Sequence, residues 1–487
     1  MMWIAGLTTK MRWMVCSAAA LAATSLTYTV CAETPAQTSS GEVQFRDLYK
    51  ELVETNTTLS AGSCTAAAER MAARLQKAGF AEGELHLFTA PGHPKEGGLV
   101  AVYPGRDPKL KAILLLAHLD VVEAKREDWA RDPFTLVEEN GNFYARGAVD
   151  DKAEGAIWVD TLVRFREAKY RPRRTLKLAL TCGEETSGAL NGAQWLTENR
   201  RELIDAEFAI NEGARGELDG ERRRVALEIQ AGEKTSQNFR LEVTNPGGHS
   251  SLPRKDNAIY ELAGALKQVE AYTFPAQFTD ASRAYFTGMA RIERSRENNA
   301  VADAMDALVH DPNDTQAIAL VSSKDPGWNG TLRTTCVATM LEAGHATNAL
   351  PQRARANINC RIFPGVSTET VRAKLAELVG PGVTVTTLEV RGPSSRAPPL
   401  TPSIRAPVER LAAQFWPGVP VLPILQPGAT DGQFLNAAGI PTYGIEPLFL
   451  GPDIGHIHGL NEYVGVQSLM ECRDFLYRLV RIYADEK

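Results

Sequence analysis

Mainly apolar runs that stop at a polar or charged residue recur along the first half of the chain. Residues 113–117 carry no polar side chain, end at His118, and are followed two positions later by Asp120. Residues 176–180 lead into Thr181-Cys182-Gly183-Glu184-Glu185, and 208–210 into Asn211-Glu212-Gly213. Short apolar runs bounded in this way predict buried strands. Segments 45–53, 64–78, 153–168 and 188–199 have helical spacing, and Gly79 closes the second of them. Residues 99–103 form a further strand, and 134–137 with 142–144 a hairpin around Asn140-Gly141. Strands alternating with helices predict an α/β domain with a mostly parallel central sheet. Such sheets place their sites at the C-terminal ends of the strands, which is where the histidine and the carboxylates fall.

Beyond Lys234 the pattern changes. Residues 239–243 alternate with a period of two, as in a strand with one solvated face, and lead to Asn245-Pro246-Gly247-Gly248-His249. A helix over 258–269, a polar helical segment over 281–315, strands over 334–341 and 354–362, a helix over 368–379 and a strand over 383–390 follow. Strand–helix–strand–strand–helix–strand is the order of a ferredoxin-like α+β module. Residues 391–395 make a hinge. Residues 406–487 return to the α/β pattern and close on an amphipathic helix. The expected organisation is a leader over 1–32, a first catalytic part over 33–234, an inserted lid over 235–393 and a second catalytic part over 394–487.

Composition adds three constraints. Lys10 and Arg12 precede the apolar segment 13–26, and Val30-Cys31-Ala32 offers small residues before Glu33. That is a secretory signal cleaved after Ala32, too short for a membrane span. The expected product is a soluble periplasmic or secreted protein with no span in the mature chain. The net charge of −6 has no basic concentration, which argues against a nucleic-acid partner. Cleavage removes Cys16 and Cys31 and leaves Cys64, Cys182, Cys336, Cys360 and Cys472, with no CxxC pair to suggest a thiolate zinc site. Export permits disulfides, and Cys336 and Cys360 fall in two strands expected to be neighbours.

Five ligand positions then align: His118, Asp150, Glu185, Glu212 and one histidine of Gly455-His456-Ile457-His458-Gly459. Oxygen and imidazole donors suit zinc, manganese or cobalt. A central carboxylate can bridge two such ions, which polarise a carbonyl and lower the pKa of a water. A free carboxylate is then needed to carry the proton, and Glu184 is the natural choice.

The motifs His118-Leu119-Asp120, Arg146-Gly147-Ala148-Val149-Asp150-Asp151-Lys152, Gly183-Glu184-Glu185, Asn211-Glu212-Gly213, Gly247-Gly248-His249 and His458-Gly459 occur in this order. Together they resemble the M20 metallopeptidases, a family of carboxypeptidases, dipeptidases, aminoacylases and succinyl-diaminopimelate desuccinylase. The resemblance spans about residues 45–487 and implies a zinc-peptidase-like catalytic domain interrupted by a lid that forms a homodimer. It implies that Asp150 bridges two divalent ions, zinc first among them. His118 and Glu212 would complete one site, and Glu185 and His458 the other, since Gly459, Asn461 and Glu462 match the pattern after the ligand histidine. Glu184 would be the general base and Asp120 the orienter of His118, and the bond after Asp150 is expected to be cis. The resemblance further implies that His249 crosses to the partner's site as an oxyanion donor. Asn348 and Arg361 would contact substrate, Arg361 pairing with a carboxylate, and the backbone at Gly428 would hold the same end. Glutamate at 212 resembles the acylase and carboxypeptidase branches. The expected activity is hydrolysis of short peptides at the C-terminal bond, carboxypeptidase- or dipeptidase-like. The alternative is an N-acyl-amino-acid deacylase. A non-catalytic binding protein on the same fold is the remote alternative, opposed by the intact Glu184 and ligand set.

Overall fold

A computed structural model describes residues 40–186, 190–390, 392–393 and 396–486. The expected leader lies outside these residues. So do Gly188, where the helix over 188–199 was expected to begin, and three positions of the expected hinge, Arg391, Ser394 and Ser395.

Ile113–His118 is the centre of the large sheet, and all six of its residues are buried. It runs parallel to Leu176–Thr181 on one side and Phe208–Asn211 on the other, with His118 level with Thr181. The ten-stranded sheet continues outward from Leu176–Thr181 to Gly98–Tyr103 and Leu85–Phe88. On the other side it passes through Thr442–Gly444 to Arg224–Glu233, then Gly216–Leu218 and Phe449–Leu450, with Val421–Gln426 also paired to Arg224–Glu233. Alternation sorts the central side chains to two cores. Leu115 and Ala117 join the larger core with Trp158, Phe165, Phe475 and Leu476. Leu114 and Leu116 join a second core with Leu196, Leu203 and Phe434. A parallel sheet covered on both faces needs such uninterrupted apolar strands, which is why the opening run contains no polar residue.

The helices fall close to their expected places, as Ser40–Glu54, Cys64–Lys77 and Lys152–Glu167. The helix expected from 188 begins instead at Gly192, because the Asn191 side chain accepts the Gln194 N–H at 2.8 Å and caps it. The hairpin strands are Val137–Glu139 and Asn142–Tyr144, shifted toward the turn, and Tyr463–Gly465 adds a third strand beside them.

The second sheet has the order Thr335–Ala343, Arg353–Ile362, Thr235–Thr244, Thr384–Val390, with every pair antiparallel. Helices Ala258–Ala271 and Thr368–Val379 pack on one face through Leu262, Ala265, Val371 and Leu375. This is the ferredoxin-like order read from the pattern. The segment between the first helix and second strand forms Asp280–Ser295, Asn299–His310, Thr315–Lys324 and Pro326–Leu332. These helices pack on the large sheet and not on the lid. Phe286, Met289 and Ala290 meet Ala226, Leu422 and Ile424 there.

Cys336 and Cys360 are directly opposed in the lid sheet and disulfide-bonded. A second disulfide, Cys64–Cys182, ties the start of a helix to the end of Leu176–Thr181; its partners lie 118 residues apart, a separation no local pattern signals. Cys472 is a buried free thiol. Non-reducing peptide mapping of the folded protein is expected to recover Cys64–Cys182 and Cys336–Cys360. Cys472 should be alkylated only after unfolding.

Candidate metal centre

His118, Glu184, Glu185 and Glu212 stand where a buried strand gives way to a turn, Asp150 just before the Lys152–Glu167 helix, and His458 in the turn after Ile454–His456. His118 ends its strand with a side chain 1 % exposed. Its Nδ1 donates to the Asp120 main-chain carbonyl at 3.0 Å, which leaves Nε2 aimed at Asp150 Oδ1, 2.9 Å away. Glu212 Oε1 is 3.8 Å from the same nitrogen. His458 Nε2 lies 3.1 Å from Asp150 Oδ2 and 2.9 Å from Glu185 Oε2. Asp150 therefore offers one oxygen to each histidine. His456 turns away, with Nε2 3.3 Å from Asp453.

The Asp120 carboxylate, 3.6 Å from His118 Nδ1, has a task the sequence did not signal. Its Oδ1 accepts the N–H groups of Gly183 (2.7 Å) and Glu184 (3.3 Å), and its Oδ2 that of Glu185 (3.0 Å). Asp120 thus orients the imidazole with its backbone and holds the Glu184-Glu185 turn with its side chain. Gly183 makes that turn possible. Its φ is +92°, and a Cβ there would lie 1.8 Å from the Leu190 carbonyl oxygen. Behind it, Asp431 accepts from the Thr181 hydroxyl (2.9 Å) and from Asn191 Nδ2 (2.6 Å).

A second support joins two ligand loops. Glu462 accepts Arg146 Nη1 at 2.7 Å and the N–H groups of Gly147, Val149 and Asp150 at 3.0, 2.8 and 3.2 Å. Arg146 Nη2 donates to the carbonyl of Gly459, next to His458, at 2.8 Å. The pair is buried, and removing one partner of such a pair costs about 3–5 kcal/mol. The Asp150–Asp151 peptide bond is cis, and Asp151 Oδ2 accepts the His118 N–H at 3.0 Å. Sequence reasoning assigned no task to Arg146, Asp151 or Asp431, because their partners are distant in the chain.

The electrostatics are those of crowded, buried carboxylates. Burial, then the charge of Asp150, push Glu185 and Glu212 above the usual carboxylate range. Burial, then Glu212, do the same to Glu184. Burial lifts Glu446 to about 8. Burial also works on Asp150, but hydrogen bonds from His118 and His458 outweigh it and hold that carboxyl well below its usual range. Hydrogen bonds to Asp150 and Glu185 raise His458 to about 10. Burial opposes the charge on His118, and its bonds to Asp120 and Asp150 overcome it.

This donor set fits two divalent ions. Single ligand atoms of His118, Asp150 and Glu185 lie within 4.8 Å of one another, as do those of His118, Glu184 and Glu212. The donors are nitrogen and oxygen, and Asp150 is shared. A third group, Cys64, Asp120 and Cys182, offers no thiolate because its sulfurs are bonded to each other.

The expected substrate contacts lie apart from this cluster. His249 and Asn348 stand on a small two-stranded arm where Gly248 pairs with Leu350 and His249 with Ala349. Both are exposed. His249 Nδ1 accepts the Ser251 N–H at 3.2 Å. Arg361 is on the lid sheet opposite Ser236 and Thr335. Gly428 follows the Val421–Gln426 strand.

The model of peptidase family M20/M25/M40 matches residues 114–482. The chain belongs to this family. It is 29 % identical over 385 residues to human "N-fatty-acyl-amino acid synthase/hydrolase PM20D1", covering 77 % of this chain and 75 % of that protein. It is 27 % identical to the Dictyostelium discoideum "Probable carboxypeptidase S-like 2", over 79 % of this chain and 74 % of the relative. The M20 metallo-carboxypeptidase Sso-CP2 of Sulfolobus solfataricus shares the fold, with a TM-score of 0.67 at 19 % identity over 91 % of this chain and 99 % of that one. The M20 chain is thus a metal-dependent hydrolase of amide C–N bonds, with two clustered groups of candidate metal ligands around His118.

Metal uptake by this M20 site should release protons. Hydrogen bonds raise His458 to about 10 and push His118 above its ordinary value in the metal-free chain, and a metal needs the neutral imidazole. Affinity should therefore weaken as pH falls, by up to about tenfold per unit for each proton displaced. Calorimetry of zinc binding in two buffers of different ionisation heat measures this. Zero proton release at pH 7 would contradict the assignment.

Proposed function

We propose that this M20 chain is an exported enzyme that hydrolyses an amide next to a free carboxylate, in N-acyl amino acids first and in short peptides at the C-terminal bond second. The observation that carries the reading is the sharing of Asp150 between His118 and His458, with Glu184 beside it and without a side-chain hydrogen bond among the described residues. Sequence reasoning put peptides first. The relative named for N-fatty-acyl amino acids moves acyl amino acids forward, and the carboxypeptidase S-like relative keeps peptides in view.

His118, Asp150 and Glu212 would hold one ion, and Asp150, Glu185 and His458 the other; zinc suits these donors, with cobalt or manganese as substitutes. When bound, the two ions polarise the amide carbonyl and lower the pKa of the attacking water. Glu184 takes the water's proton as the new C–O bond forms and delivers it to the amine nitrogen as the C–N bond breaks. Burial and Glu212 raise its affinity for that proton, which suits a group that accepts and then returns one. Asp120 acts through its hydrogen bonds to the turn. Arg361 and the Gly428 backbone bind the substrate carboxylate, Asn348 of the partner subunit contacts it, and His249 of the partner subunit, on the same arm, donates from Nε2 to the developing oxyanion.

Two features support export and dimerisation. Two disulfides suit an oxidising compartment. The edge strand Thr335–Ala343 is exposed along most of its length, with Met340 73 % and Leu341 66 % accessible, and Tyr260 on the neighbouring helix is 69 % accessible. An unpaired, apolar sheet edge is a ready pairing surface.

Replacing Glu184 with Gln should lower kcat at least about 10²-fold while both ions remain bound by elemental analysis. Unchanged turnover on N-acetyl amino acids and dipeptides would remove Glu184 from the mechanism. The double substitution Met340→Asp, Leu341→Asp should give a monomer by light scattering and cut kcat by about 10²–10³, the cost of losing one oxyanion donor. A fully active monomer would refute a role for His249 in trans.

A further inference from the structure

Lys234 is the joint between the Arg224–Glu233 strand of the large sheet and the Thr235–Thr244 strand of the lid. Its N–H donates to the Gln426 carbonyl at 3.1 Å, which sets it against the loop carrying Gly428. Its ammonium is buried and donates to the Arg333 carbonyl. No carboxylate meets it among the described residues. The adjacent Glu233 turns to another partner, the Thr430 N–H, at 2.6 Å. Arg333 is buried as well, and it too lacks an acid. Its Nη atoms donate to the Phe274 carbonyl and the Ser322 hydroxyl, each at 3.2 Å, and its Nε has no partner.

The lid sheet places these cations together. Arg361 lies opposite both Ser236 and Thr335. Lys234 is two residues before the first, and Arg333, with extended backbone, two before the second. A period of two therefore puts Lys234, Arg333 and Arg361 on one face of the sheet, the face opposite the lid helices. The field at Lys234 agrees: burial, then Arg361 and Arg333, bring its pKa down to about 7. Burying a cation without a counter-charge is costly, so this cationic cluster favours an anion beside it. The α-carboxylate assigned to Arg361 does not exhaust it. The guanidinium fork, the partner subunit's Asn348 and the Gly428 backbone already fill the lone pairs of that one group. Lys234 and Arg333 meet no carboxylate among the described residues.

We propose that this face selects substrates whose amino-acid part carries a second carboxylate, and that the charge of Lys234 sets the preference. The substrate class is an N-acyl dicarboxylic amino acid, or a short peptide ending in an acidic residue. The inference rests on the reading of Arg361 as the α-carboxylate partner. Lys234 acts through its field and needs no direct contact, because the low-dielectric surroundings of a buried charge screen it weakly.

The test compares kcat/KM for N-acetyl-glutamate and its neutral isostere N-acetyl-glutamine, using the zinc-loaded full chain at low salt. The wild type should prefer glutamate at least tenfold. In Lys234→Met that ratio should fall at least fivefold, and Lys234→Arg, which keeps the charge, should restore it. A purely structural role would lower both substrates together and leave the ratio in place, and that result overturns the assignment of Lys234. If Lys234→Met does not fold, Arg333→Met is read the same way. A wild-type ratio of one or less overturns the proposal alone. Hydrolysis of neither compound, nor of the matching dipeptides, overturns the functional reading and this inference with it.

Discussion

Mutual repulsion among buried carboxylates governs this molecule. Asp150, Glu184, Glu185 and Glu212 converge on two imidazoles in a place where burial already disfavours charge. A chain that gathers such groups needs compensation, and divalent cations supply it. Without them the histidines become the counter-ions, which is why His118 and His458 are pushed toward their protonated forms. The same groups that demand a metal thus hold protons until one arrives.

Keeping these groups in place falls to hydrogen bonds from rigid backbone. One carboxylate, Asp120, fixes three successive N–H groups of the Gly183–Glu185 turn, and another, Glu462, fixes the approach to Asp150. Through Arg146, Glu462 also reaches the backbone beside His458. Acidic side chains thereby position other acidic side chains. The arrangement works because N–H donors satisfy the lone pairs of each carboxylate, and Glu462 has the Arg146 guanidinium besides. These supports tie strand ends that are far apart in the chain to one point, the C-terminal edge of the parallel strands.

The lid carries a different chemistry. Its open face is rich in cations and amides, and its edge strand is apolar and exposed. Acid gathers on the large sheet and base on the lid, so the two sheets carry fields of opposite sign. The helices over 280–332 belong to the lid in chain order but to the large sheet in packing. An amphipathic helix buries its stripe against whichever apolar surface the fold presents.

Much of the architecture was legible in local pattern. The uninterrupted run before His118, the period-two strand of the lid and the strand–helix order of the insert each follow from side-chain geometry that acts over a few residues. The ligand types were legible too, because a histidine or carboxylate at the end of an apolar strand stands out against its neighbours. Pairings over long separations were not. Cys64 with Cys182, Arg146 with Glu462, Asp431 with Thr181 and Asn191, and Lys234 beside Arg333 and Arg361 have no periodicity linking them. The two histidines of Gly455-His456-Ile457-His458-Gly459 show the division plainly. The sequence by itself put a candidate ligand histidine in that turn, and the residues that follow His458 favoured it over His456. Only the tertiary structure decided that His458 faces Asp150 and Glu185 while His456 faces Asp453, because the direction of a side chain in a turn depends on backbone dihedrals that distant contacts set.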